Sequence, residues 1–97
     1  MKWAAVIEYI GDKDKINEVR PSHRAYLTKL LEGGQLVCSG PFTDDYGALI
    51  VYEAETKEAA EAILKADPFH DSGVFVRWDL RPWKCLFGNP QLLPPNG

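Results

Sequence analysis

The chain has 97 residues, of which 45% are apolar and 26% are charged, and its formal net charge is −3. A chain of this length forms one domain with one modest core. The negative charge argues against a nucleic-acid partner, which binds a basic face. No apolar run approaches the roughly 20 residues of a membrane span. Two cysteines, Cys38 and Cys85, are too few for a disulfide scaffold, so we expect a cytoplasmic protein.

The first third of the chain predicts a strand followed by a helix. Trp3–Ile10 is rich in β-branched and aromatic residues and precedes a turn signal, which is typical of a strand. Apolar residues then recur at helical spacing over Ile16–Leu31. Because proline disrupts a helix interior, we expect a short lead-in turn and a main helix that starts near Pro21. That helix should end at Gly33-Gly34, since glycine commonly follows a helix end.

The rest of the chain predicts two strands, a helix, a final strand and an arm. The expected strands are Gln35–Ser39, Ala48–Ala54 and Val74–Pro82, the helix runs from the cap Thr56 to about Ala66, and residues 88–97 form a Pro/Gly-rich arm. We expect Gly40-Pro41 to break the second strand and a polar loop to follow it.

The order β-α-β-β-α-β predicts an α+β fold of the ferredoxin-like type, a four-stranded antiparallel sheet with two helices on one face. Alternation places Trp3, Ala5 and Ile7 opposite Ala4 and Val6, so both sheet faces are apolar. Two helices cover only one face, and the other predicts a homodimer with stacked sheets. RNA-recognition domains share this order, but the third strand here lacks their aromatic pattern.

Two ionisable residues interrupt the apolar stripes of the two helices. His23 lies four residues after Val19 and three before Tyr26, and Asp67 lies four after Ile63. These spacings put an imidazole and a carboxylate on the inward faces of different helices. Because buried ionisable groups are costly unless paired, we expect His23 and Asp67 to contact each other.

This expected pair has a catalytic and a structural interpretation. A histidine that is oriented by a carboxylate can act as a general base near neutral pH. The alternative is a core His23 that bonds backbone and an Asp67 that caps a turn beginning at Pro68. A carboxylate has enough acceptor sites to cap the turn and orient the histidine together.

Other candidates have simpler explanations. A metal site built from His23, Asp67, His70 and Asp71 matches no closed tetrahedral pattern, so we expect no metal. No glycine-rich phosphate loop is present, and we expect no cofactor. Cys38 is expected to pack as a small apolar residue. The candidates for holding an anionic substrate group are Arg20, Arg77 and Arg81, with surface ion pairs as the alternative.

Four motifs in order carry a family resemblance. The chain contains Arg20-Pro21-Ser22-His23 with Leu27, Gly34-Gln35-Leu36 followed by Gly40-Pro41, Ala66-Asp67-Pro68-Phe69, and Arg81-Pro82-Trp83. These segments resemble the YciI-like (YCII-related) proteins, and the resemblance covers nearly the whole chain up to Phe87.

The resemblance implies a domain at residues 1–87, a dimeric α+β barrel, and a His23–Asp67 active site. In one branch of the family it implies elimination of hydrogen halide from hydroxylated aromatic rings. We therefore predict a small cofactor-independent enzyme that transfers protons on a small, possibly aromatic, substrate. Its candidate substrate-binding residues are Arg20, Ser39 and Phe69. The alternative is a non-catalytic binding module in which the pair is structural.

Overall fold

The computed structural model describes residues 1–95. Its elements are β1 (Lys2–Tyr9), α1 (Lys13–Glu32), β2 (Leu36–Pro41), β3 (Gly47–Glu53), α2 (Lys57–Lys65), α3 (Pro68–Asp71) and β4 (Phe75–Trp83), followed by a 3-10 turn at Pro90–Leu92. The strands form one antiparallel sheet in the order β2-β3-β1-β4. The helices cover one face, which confirms the ferredoxin-like prediction. The last two residues of the expected arm, 96–97, lie outside the described part.

Helix α1 begins eight residues before the predicted start, so the prediction of a lead-in turn followed by a main helix starting near Pro21 is wrong. Asp12 caps the helix by accepting a hydrogen bond from a backbone N–H of the first turn. Pro21 lies inside the helix and its ring is exposed, at a cost of about 3 kcal/mol. Ile16 is buried and Val19 packs on the core, so burial of the first turns offsets that cost.

Strand β2 extends through Gly40-Pro41, so the predicted break at these residues is also wrong. The strand order places β2 at an edge of the sheet. An edge strand tolerates proline because a missing N–H on the open side removes no ladder bond. The other edge strand, β4, likewise includes Pro82. None of the helices within residues 1–95 is long and apolar enough to cross a membrane.

Gly47 starts β3 in close contact with the neighbouring strand β1. It is buried and pairs with Glu8. A Cβ atom at this position would collide with the carbonyl oxygen of Ile7. Only glycine therefore fits where the loop enters the sheet.

The two faces of the sheet differ in solvent exposure. Trp3, Ala5 and Ile7 point towards the helices and are 7%, 0% and 0% exposed. On the opposite face, Val6 is 42% exposed and Leu49 is 37% exposed. The predicted alternation is confirmed, and apolar surface is left open on the face away from the helices.

Candidate functional site

Asp67 occupies the junction between α2 and α3. Pro68 is the first residue of α3, where its missing N–H is harmless, and Asp67 is the cap. Its Oδ1 accepts a hydrogen bond from the backbone N–H of Phe69 at 2.9 Å. The side chain is 0% exposed, so the carboxylate lies within the protein rather than at its surface.

His23 reaches this carboxylate from the middle of α1. Its Nδ1 lies 2.8 Å from Asp67 Oδ1 and 2.9 Å from Oδ2, which confirms the expected pairing. An ionised carboxylate only accepts hydrogen bonds, so Nδ1 carries the proton and donates it. The other ring nitrogen, Nε2, then has a free lone pair.

Phe69 holds the imidazole from one side. Its ring stacks on His23 with centroids 4.0 Å apart and planes 12° apart. Tyr9 and Phe75 pack edge-on against Phe69 at 5.3 and 5.9 Å. The plane of the imidazole is therefore defined by both the carboxylate and an aromatic cluster of Tyr9, Phe69 and Phe75.

His23 faces a cleft of about 770 Å³ between α1 and the β2 edge of the sheet. Nε2 makes no hydrogen bond to residues 1–95, yet it is not among their buried unpartnered atoms, so it is reachable from the cleft. A ligand in the cleft can therefore meet a nitrogen whose lone pair is oriented by Asp67 on the far side of the ring.

The structure brings the three expected substrate-binding residues to this cleft. Arg20, Ser39 and Phe69 all line it. Arg20 precedes His23 by one helical turn, and Ser39 lies on β2 opposite Ile50. Ser39 is exposed, and its hydroxyl makes no hydrogen bond to residues 1–95.

Two other candidates lie apart from the pair. The ring of His70 packs edge-on against Trp78 at 5.2 Å and does not line the cleft. Cys38 lines the cleft but makes no hydrogen bond to His23, and burial raises the pKa of its thiol, with Cys85 nearby as a smaller cause. A raised pKa disfavours the nucleophilic thiolate. Within residues 1–95, no three His, Cys, Asp or Glu side chains cluster as metal ligands.

Sequence reasoning missed Tyr9 and the arm as parts of this region. Tyr9 continues the inward alternation of β1, which was the available signal, and its ring lines the cleft beside His23. Burial raises the pKa of Tyr9 to about 12; Asp67 adds to the rise and Arg20 opposes it. The cleft is also lined by three residues of the C-terminal arm, Leu93, Pro94 and Pro95. No sequence pattern indicates that the arm packs against the cleft.

Residues 1–84 match the YCII-related domain, which is most of the chain. The protein belongs to this family. Protein YciI of Escherichia coli O6:H1 and that of Shigella flexneri are each 34% identical over 93 residues. In each case the match covers 81% of this chain and 95% of the relative.

A solved structure supports the fold independently. It is 5-chloro-2-hydroxyhydroquinone dehydrochlorinase from Burkholderia phenoliruptrix AC1100, in complex with 2,5-dihydroxybenzoquinone. The TM-score is 0.75 with 23% identity, and the match covers 87% of this chain and 94% of that one. At this identity the likeness shows a shared fold, and that fold is used by an enzyme.

Proposed function

We propose that this protein is a small cofactor-independent enzyme that transfers a proton on a small, possibly aromatic, substrate. The observation that carries this proposal is the orientation of His23, with Nδ1 on a buried carboxylate and Nε2 facing a cleft. That arrangement is the one a general base needs, since the carboxylate selects the tautomer and stabilises the imidazolium.

The proposed step begins with a substrate in the cleft beside Arg20, Ser39 and Phe69. His23 Nε2 takes a proton from the substrate, and the electron pair of the broken bond stays on the substrate. Expulsion of a leaving group would make the reaction an elimination, and return of the proton at another atom would make it an isomerisation. Asp67 stays ionised throughout and stabilises the charged imidazole.

Screening for proton exchange tests this proposal. The full-length protein would be incubated in deuterated buffer with hydroxylated aromatics, lactones and 2,5-dihydroxybenzoquinone, the compound bound to the dehydrochlorinase. We expect deuterium incorporation or elimination with one class, and a loss of about 10²- to 10⁴-fold in the His23→Leu, Asp67→Leu double variant. Asp71→Asn, on the exposed side of α3, is the matched control and should keep activity.

The alternative function is a small-molecule-binding module without turnover. The observation in its favour is that Asp67 also caps α3, so the carboxylate has a structural use of its own. This alternative expects the double variant to lose ligand affinity or stability, with no turnover in the parent. An identified activity that survives the double variant would contradict the catalytic proposal.

We also propose that the open sheet face is covered by a second copy of the chain. Val6, Leu49 and Val76 are 42%, 37% and 48% exposed on strands of that face, and twofold dimers are the commonest assemblies. Light scattering should give about twice the chain mass of 10.9 kDa. Val6→Lys should give the monomer mass and Leu92→Lys, in the arm, should not; a parent of monomer mass would contradict this interface.

A further inference from the structure

Charge is distributed unevenly around the cleft. A second cavity of about 310 Å³ adjoins it and shares Tyr9, Arg20 and Asp45 with it. The charged residues lining either cavity are Lys13, Arg20, Arg24 and Asp45. Lys13 and Asp45 pair with each other at 3.1 Å, and neither arginine forms an ion pair within residues 1–95. Against these two positive charges stands one buried carboxylate, that of Asp67 behind His23, which leaves an excess of one positive charge. A chain of net charge −3 therefore has a locally positive cleft.

Arg20 stands at the junction of the two cavities with most of its donors free. Its Nη1 donates to the neutral Asn17 Oδ1 at 3.0 Å, and it forms no ion pair within residues 1–95. The guanidinium has five N–H donors in a planar fork that matches a carboxylate. Arg20 and His23 are three residues apart on one helix, so their Cβ atoms lie roughly 5–6 Å apart.

Tyr9 presents a second donor to the same place. Its ring is held by Phe69 and Phe75, at centroid distances of 5.3 and 5.9 Å. The hydroxyl makes no hydrogen bond to residues 1–95 and is not among their buried unpartnered atoms, so a ligand can reach it. The ordinary tyrosine pKa of 10.0 already lies well above neutral pH and burial raises that of Tyr9 to about 12, so the hydroxyl keeps its proton and acts as a donor.

We infer that the cleft binds a small planar organic anion, whose ionised oxygens are held by Arg20 and Tyr9 while its ring lies near Phe69 and His23. The inference rests on the proposed function, because it concerns the same cleft, and it adds that the ligand is negatively charged. Two arginines without acid partners favour a carboxylate or an ionised enol or phenol over a neutral ring.

A pair of matched probes tests the charge requirement. Benzoate and benzamide have nearly the same shape and differ in charge, and each would be titrated into the full-length protein while backbone amide resonances are followed by NMR. We expect cleft residues to shift and benzoate to bind about tenfold more tightly than benzamide. Equal affinities, or no binding of either probe at about 10 mM, would overturn the inference.

Variants assign the effect to individual side chains. Arg20→Gln should weaken benzoate about tenfold and leave benzamide unchanged, and Tyr9→Phe should weaken benzoate about threefold. Lys29→Gln, at an exposed position of α1 outside both cavities, removes the same charge; it is the matched control and should change affinity less than about threefold. An equal loss in Arg20→Gln and Lys29→Gln, or none in Arg20→Gln, would contradict a specific clamp.

This titration is independent of turnover. Benzoate binding through Arg20 with an activity that survives loss of the His23–Asp67 pair would refute the proposed function alone. Turnover that needs the pair, with benzoate and benzamide binding equally, would refute the anion inference alone.

Discussion

Asp67 and Tyr52 are both 0% exposed, but their polar atoms have very different surroundings. The carboxylate of Asp67 accepts hydrogen bonds from His23 Nδ1 and from the backbone N–H of Phe69. The hydroxyl of Tyr52 is the one buried side-chain oxygen or nitrogen within residues 1–95 that has no hydrogen-bond partner. The same core therefore holds one fully satisfied charge and one unsatisfied neutral group.

The contrast separates two reasons for burying a polar atom. Tyr52 is held mainly by its ring, which packs in the core under the helices, and an unpaired hydroxyl costs about 1–3 kcal/mol there. Asp67 has little apolar surface to bury, so its position depends on its partners. Breaking the Asp67 contacts and removing the Tyr52 hydroxyl should therefore change stability in opposite directions.

The largest effect is expected when Asp67 loses its carboxylate. Asp67→Leu leaves the His23 Nδ1 proton and the capped backbone N–H without an acceptor, and we expect a loss of about 3–5 kcal/mol in the free energy of unfolding. Guanidinium unfolding at neutral pH measures this loss. Asp71→Leu, at an exposed position of α3, is the control and should change the value by about 0.5 kcal/mol or less. A change below about 1 kcal/mol in Asp67→Leu would show that the pair is not coupled to folding.

Removal of both partners should restore most of that loss. The His23→Leu, Asp67→Leu variant has no stranded imidazole, and buried ion pairs are often replaced by apolar residues without net loss. We expect its free energy of unfolding to lie within about 1 kcal/mol of the parent. The comparison of the two single variants with the double variant gives the coupling energy. A double variant as unstable as Asp67→Leu would mean that the cap on α3 carries the stability, not the pair.

The pairing of His23 with Asp67 was predictable from the sequence. His23 and Asp67 each extend the apolar stripe of a helix, and the cost of burying a lone charge implies that they meet. The orphan hydroxyl of Tyr52 was not predictable, because alternation places the ring inside the sheet but does not show whether the oxygen finds a partner. That depends on how the helices pack.

Tertiary packing, which a local sequence pattern does not contain, also explains why the predictions at two prolines were wrong. Pro21 and Pro41 are strong local signals against regular structure, and both lie within regular elements. The first is tolerated because the apolar stripe continues on both sides of it, and the second because β2 is an edge strand. The position of a strand in the sheet is a tertiary property that a local pattern does not contain. The position of Tyr9 in the cleft is likewise a tertiary property, and the sequence alone did not predict it.

Alkaline pH should lower the stability of the folded protein through the buried hydroxyl of Tyr52. Burial raises the pKa of Tyr52 above its ordinary value of 10.0, and nearby Asp67, Tyr26 and Tyr9 act in the same direction. Since the folded state holds the proton more tightly, this contribution to stability is complete below pH 10 and is lost as the pH rises further. At about pH 11 the loss is about 1.4 kcal/mol from this group.

Unfolding by guanidinium at about pH 8 and pH 11 measures this loss in the parent and in Tyr52→Phe. The variant lacks the ionisable group, so the parent should lose about 1.4 kcal/mol more than the variant between the two pH values. Equal losses in the two proteins would mean that the Tyr52 hydroxyl ionises as easily in the folded chain as in the unfolded one.

The smallest effects are expected at neutral pH, where two tyrosines provide a matched test of partnered and unpartnered hydroxyls. Tyr26 Oη donates to the backbone oxygen of Ile63 at 2.6 Å, whereas Tyr52 Oη has no partner. Tyr26→Phe should lower the free energy of unfolding by about 1 kcal/mol, and Tyr52→Phe should raise it by about 1 kcal/mol. Both substitutions delete one oxygen from the same ring, so a difference in volume cannot produce opposite signs. Denaturant midpoints with unchanged slopes measure both changes. If both variants shift in the same direction, the hydrogen-bond partner is not what distinguishes the two sites, and the account of Tyr52 as an uncompensated buried group fails.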